Sequence, residues 1–165
     1  MSESYVECMV ARKTPAGLLF AKYLLIILTG VAFFASFVFG NLLFFAAIGL
    51  GIAAYFVGIY IDVEFEYLYL EKEITVDKVF HKSRRKRFAT YEVEKIEIMA
   101  PINSYHLDGY KNRQWKETDL SSRVANQPDT RYVFYYNGNE KIIFEPNEAL
   151  VKCVKNVAPR KVFMD

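Results

Sequence analysis

Hydrophobic positions along this chain follow two regimes. Over residues 23–61 they are continuous, 39 residues without one charged side chain, while elsewhere they alternate with polar positions. One helix needs about 20 apolar residues to cross a bilayer. The run therefore predicts two spans, residues 18–39 and 42–61, broken by the turn dipeptide Gly40-Asn41. A cleaved signal peptide has an apolar region of only about 7–15 residues. A buried core hairpin would need more covering surface than the 104 residues after residue 61 supply. A transmembrane hairpin is expected.

Beyond residue 61 the period changes to two. Residues 63–70 (VEFEYLYL) and 74–80 (ITVDKVF) alternate and lie close together, which predicts an antiparallel hairpin. Residues 93–98 (VEKIEI) predict a third strand entered through a short turn, and 87–91 (RFATY) add another. Residues 131–136 (RYVFYY) and 140–144 (EKIIF) flank Asn137-Gly138-Asn139, a strong hairpin signal. Pro146-Asn147 then opens a helix on which Leu150, Cys153, Val154 and Val157 share a face, with Lys152, Lys155 and Asn156 elsewhere and Pro159 as the stop. The expected fold class is α+β, with an N-terminal segment over residues 1–17, a membrane hairpin over 18–61, and a twisted sheet or partly open barrel closed by one helix over 62–165.

Net charge is only +2, from 21 Lys and Arg against 19 Asp and Glu, so the distribution matters more than the total. Arg12, Lys13 and Lys22 precede or open the first span, the Gly40-Asn41 loop carries no basic residue, and eighteen follow residue 61. The positive-inside bias then expects both termini in the cytoplasm and the chain in the cell membrane. Asp62, Glu64, Glu66, Glu71, Glu73 and Asp77 crowd the exit of the second span with only Lys72 among them, but acidic residues count little in that bias. Inside the spans the polar inventory is Thr29, Ser36 and Asn41. Transport and proton relay normally need an intramembrane ionisable group, so neither is expected. Small residues recur at Ala32, Ser36 and Gly40, at Ala47 and Gly51, and at Ala54 and Gly58. Their expected use is packing the two spans together, with a dimer interface as the alternative.

A series of short strands closed by a single C-terminal helix is similar to a pleckstrin-homology (PH) fold. The chain also resembles a group of small Gram-positive bacterial membrane proteins in which two adjacent spans precede a cytoplasmic PH-like domain. The resemblance rests on Glu66-Tyr67, EITVDK at 73–78, RRKR at 84–87, IEIMAP at 96–101, FEP at 144–146 and Ala158-Pro159. These motifs are structural, so what the resemblance implies is a membrane-tethered binding module.

The sharpest local feature of the polar region is the basic cluster Lys82, Arg84, Arg85, Lys86 and Arg87. On a strand-to-strand loop it would present five cations to the inner leaflet, each worth about 1 kcal/mol near anionic lipid. The alternative is a solvated tip balanced by the six carboxylates named above. Residues 100–130 show little periodicity and bring together Tyr105, His106, Tyr110 and Trp115, a candidate protein-binding patch or else a cover over one edge of the sheet. Two histidines, His81 and His106, and two cysteines, Cys8 and Cys153, have no zinc-site spacing, and five of the eight glycines lie in the uncharged run of residues 23–61. No catalytic residue, metal or cofactor is expected. The region after residue 61 holds eighteen basic and seventeen acidic residues, a balance that argues against nucleic acid. The expected function is a membrane-anchored, non-catalytic binding or scaffold module at the inner leaflet, recognising anionic lipid or a protein partner. The alternative is an accessory subunit whose hairpin docks onto another membrane protein or a second copy of the chain.

Overall fold

The computed structural model describes residues 5–165 apart from 125 and 127. The chain divides into a helical unit, Thr14–Val63 with Phe80–Arg84, and a sheet unit made of the residues up to Lys13, Glu64–Val79 and Arg85–Asp165.

In the helical unit, α1 (Ala16–Phe39) and α2 (Asn41–Ile61) form an antiparallel pair. Gly40 makes the break with φ of 100°, a conformation that side chains rarely adopt, while its N–H still reaches Ser36 O at 3.0 Å. Hydroxyls inside the helices are spent on their own backbone: Thr29 Oγ1 donates to Leu25 O at 2.7 Å and Ser36 Oγ to Phe33 O at 2.6 Å. Ala47 and Ala54 are buried, and a Cβ on Gly51 would sit 3.6 Å from the Thr29 side chain. The small residues of α2 thus let the two helices approach, as expected. Both helices are long and apolar enough to cross a membrane, with mean hydropathies of 2.2 and 2.3. Protein covers 0% and 11% of their most apolar windows.

The sheet unit holds two four-stranded sheets among its described residues. The first runs β1 (Val6–Ala11), β2 (Val63–Leu70), β3 (Glu73–Phe80), β4 (Arg84–Glu92) in spatial order. The second has the order β5, β7, β8, β6, where β5 is Ile96–Pro101, β6 Lys116–Asp119, β7 Tyr132–Tyr136 and β8 Glu140–Phe144. Strand β1 lies inside the stretch that the sequence set aside as an N-terminal segment. It pairs antiparallel with β2 from Val6 opposite Tyr69 to Ala11 opposite Glu64. The helical hairpin is therefore an insertion between two neighbouring strands. Residues 93–98 are a 3-10 turn, Val93–Lys95, leading into β5, and not one continuous strand. The stretch read as irregular contains a second 3-10 helix, Tyr105–Tyr110, and β6, which runs parallel to β8.

An aromatic core joins the sheets. Tyr67 meets Phe144 edge-on at 5.6 Å, Tyr91 meets Phe134 at 5.2 Å, and Phe134 meets Phe144 at 5.1 Å. The buried Tyr67 hydroxyl donates to Leu120 O at 2.7 Å, and burial drives its pKa far up. Helix α3 (Glu148–Val157) is capped by Asn147, whose Oδ1 accepts from Leu150 N at 2.8 Å. It buries Leu150, Val151 and Val154, whereas Cys153 is half-buried and Val157 is exposed. The apolar face expected from periodicity is thus shifted toward Val151, because the helix settles through its first two turns. The chain is α+β, two N-terminal helices followed by two sheets and a closing helix.

Candidate functional site

The site grows from the turn between β3 and β4. His81 and Lys82 have φ of 49° and 53°, and Ser83 N–H donates to Phe80 O at 3.1 Å. Two positive φ values at the centre are what a type I′ hairpin turn requires, and they match the twist of the paired strands. Neither residue is a glycine or asparagine, so the turn carried no sequence signal. The expected five-cation loop is corrected here. Only His81, Lys82 and Ser83 form the turn, and Arg84–Glu92 is already strand.

Strand alternation divides the cluster between two faces. On one face, Arg85 Nε lies 2.9 Å from Glu66 Oε2 and Arg87 Nε lies 3.7 Å from Asp77 Oδ1. On the other, Lys86 shares its side with Lys78, whose Nζ sits 4.0 Å from the Phe88 ring centre and 5.8 Å from that of Phe65. Arg12 covers the same Phe65 ring at 5.4 Å. Burial first, then repulsion from Arg12 and Lys86, pulls the Lys78 pKa down. Among the described residues, Lys82, Arg84 and Lys86 have no carboxylate partner, while Arg85 and Arg87 do. The sequence showed five equivalent charges. Among the described residues, the fold pairs two of them with carboxylates.

Glu66 is 3% exposed, and its Oε2 has no aligned hydrogen-bond donor among the described residues despite the nearby guanidinium. Burial, and secondarily the Glu7 carboxylate beside it, hold Glu66 above the usual carboxylate range, with Arg85 opposing. An acid whose pKa is raised on folding favours the native state most below its unfolded pKa. That contribution is lost as pH rises through the native value. Glu66→Gln cannot ionise and keeps Glu7 in place. Raising the pH from about 4 to about 7 should therefore cost the wild-type chain stability relative to the variant. Denaturation of both proteins across that range measures the difference, and a pH-independent gap would mean that Glu66 ionises in the fold without penalty.

The candidate aromatic patch is placed differently. Tyr110 stacks on Tyr135 at 4.9 Å, Trp115 lies 4.6 Å from the same ring, and Trp115 Nε1 donates to Tyr110 O at 2.6 Å. Both pack on the core formed by Ile98, Ala100 and Val133. His106 stacks on Phe163 at 3.7 Å, which leaves Tyr105, 71% exposed, as the outward member. Trp115 and Tyr110 cover the second sheet through Tyr135. Sequence reasoning missed Arg12 and Lys78, whose approach depends on pairing across β1, β2 and β3. No group of three or more His, Cys, Asp or Glu among the described residues is placed to hold a metal ion.

Two small sheets of short strands, an aromatic core between them and a capping C-terminal helix define a PH-like domain. Residues 2–164 match the bacterial PH-like domain family (DUF6106), and the chain belongs to that family. The matched residues include both helices as well as the sheets. Neither a curated protein nor a solved structure matches the chain. A PH-like domain suggests a non-catalytic binding module.

Proposed function

We propose that the chain is a membrane-anchored, non-catalytic binding module whose β3–β4 turn recognises anionic lipid headgroups at the inner leaflet. The observation that carries this reading is the seating of that turn on the end of α2. His81 N–H donates to Asp62 O at 2.8 Å, and the Phe80 ring meets Tyr60 edge-on at 6.0 Å. Lys82 and Arg84 therefore emerge where the second helix ends, the level at which anionic headgroups lie.

Each of these two cations is expected to contribute about 1 kcal/mol near an anionic surface, roughly fivefold in preference. The full chain in mixed nanodiscs should restrict spin-labelled phosphatidylglycerol more than spin-labelled phosphatidylcholine. Lys82→Ser with Arg84→Ser should remove most of that selectivity. Arg85→Ser should change it less, since Arg85 already faces Glu66. The selectivity should also shrink with salt, because screening confines such charges to about 8 Å at physiological ionic strength. Equal selectivity in wild type and the double variant would overturn the reading.

Orientation is tested separately. In a background lacking Cys8 and Cys153, a cysteine at Asn41 is expected to react with an impermeant thiol reagent in intact cells, and one at Asn137 is not. Labelling at Asn137 would reverse the proposed topology. The alternative reading, an accessory subunit, draws on the apolar groove lined by Gly30, Phe33, Phe44 and Ile48. A stable assembly larger than one chain after mild detergent extraction would favour it.

A further inference from the structure

We propose that the β3–β4 turn and the last turns of α2 form a seat for one anionic phospholipid molecule, a specific site that rests on the headgroup reading above and sharpens it. A cleft of about 290 Å³ lies there within the helical unit. Its wall is Tyr55, Phe56, Ile59 and Phe80, and its rim is His81, Ser83 and Arg84. Tyr55 and Phe56 are 68% and 54% exposed, so the wall is open to a ligand.

The two chemistries are stacked along the helix axis. Tyr55 precedes the end of α2 at Ile61 by six residues, about 9 Å of helix rise. The wall therefore sits at the depth of the glycerol and upper acyl chain, and the rim at the depth of the phosphate. Arg84 has no carboxylate partner among the described residues and offers the planar donor set that suits a phosphate. Ser83 adds a hydroxyl, and Lys82 stands beside it in the turn. Asp62, at the end of α2, lies 3.5 Å from His81 Nδ1.

This combination selects the occupant. A free phosphate has no use for an aromatic wall, and a zwitterionic phospholipid brings a cationic ammonium beside its phosphate, which Lys82 and Arg84 repel. An acidic peptide would have to bring unpaired backbone N–H and C=O groups to bilayer depth, where each is costly. A phosphate joined to hydrocarbon satisfies both halves of the cleft.

The test uses the full chain extracted in mild detergent containing equal phosphatidylglycerol and phosphatidylcholine, read by native mass spectrometry. Wild type is expected to retain one phosphatidylglycerol. Ile59→Trp fills the wall without altering a charge and should lower that occupancy at least tenfold. Tyr55→Ala, at an exposed position, should lower it in the same direction and serves if the tryptophan disturbs the helix. Arg84→Ser should make retention of the two lipids equal. Millimolar glycerol 3-phosphate should not displace the bound lipid. Wild-type occupancy in both wall variants, or displacement by glycerol 3-phosphate, would overturn the seat. The two readings fail separately. If the Lys82 and Arg84 substitutions abolish nanodisc selectivity while the wall variants retain lipid, only the seat falls. If the charge substitutions change neither measurement, the headgroup reading falls with it.

Discussion

Leu150→Ala is expected to destabilise the sheet unit by about 2–5 kcal/mol, a large share of the stability of a small domain. Leu150 is fully buried, with Val151 and Val154 beside it, so truncation leaves a cavity among groups that the surrounding sheets hold in place. Two controls on the same helix make the result specific. Lys152→Ala should change stability by no more than about 0.5 kcal/mol, because its partner Glu148 is an exposed neighbour on the same helix. Val157→Ala should also have a small effect, since the side chain is 36% exposed. The second control separates the structure from the pattern. Helical periodicity placed Val157 on the buried face, and the fold places it outside. Denaturant melts of the three variants decide the matter, and a loss at Val157 equal to that at Leu150 would contradict the observed helix docking.

A chain that begins at residue 62 is expected not to fold cooperatively, although the sequence read alone starts the polar region there. It lacks β1, which pairs along β2 through six consecutive register positions. Without it, β2 becomes an uncovered edge whose free N–H and C=O groups invite pairing with other chains. The half-buried Val6, Cys8 and Val10 are lost as well, on the order of several kcal/mol of apolar burial. Because Ala11 lies opposite Glu64, a short turn joining Lys13 to Val63 in place of the intervening helices should restore the sheet. Far-UV circular dichroism and denaturant melts of the two soluble chains provide the comparison. Cooperative unfolding of the 62–165 chain with stability equal to that of the rejoined chain would show β1 to be dispensable.

These two expectations mark where local information ends. The hairpin of α1 and α2 was legible because its cause is local: an uncharged run of sufficient length, interrupted by a glycine able to take φ of 100°. The β7–β8 hairpin was legible for the same reason, since Asn137 and Gly138 adopt the positive φ values that an Asn-Gly turn favours. The β3–β4 turn was not. His81 and Lys82 are held at positive φ by the pairing of the strands on either side of them, against their own preference.

Composition and periodicity also established the α+β class, the near-neutral charge balance and the presence of a basic cluster. What they could not settle was which of its charges are free. Among the described residues, that depends on Glu66 and Asp77, which neighbouring strands bring beside Arg85 and Arg87 but not beside Lys82, Arg84 or Lys86. In the same way the seat of Trp115 and Tyr110 depends on Tyr135, which lies distant in sequence. Sequence alone determined the elements whose stability comes from neighbours along the chain, namely the two long apolar helices and the Asn-Gly hairpin. Tertiary structure alone decided the partner of β1, the buried face of α3 and the division of the basic cluster, because each rests on pairing between residues far apart in the chain, and that pairing leaves no periodic trace in either partner.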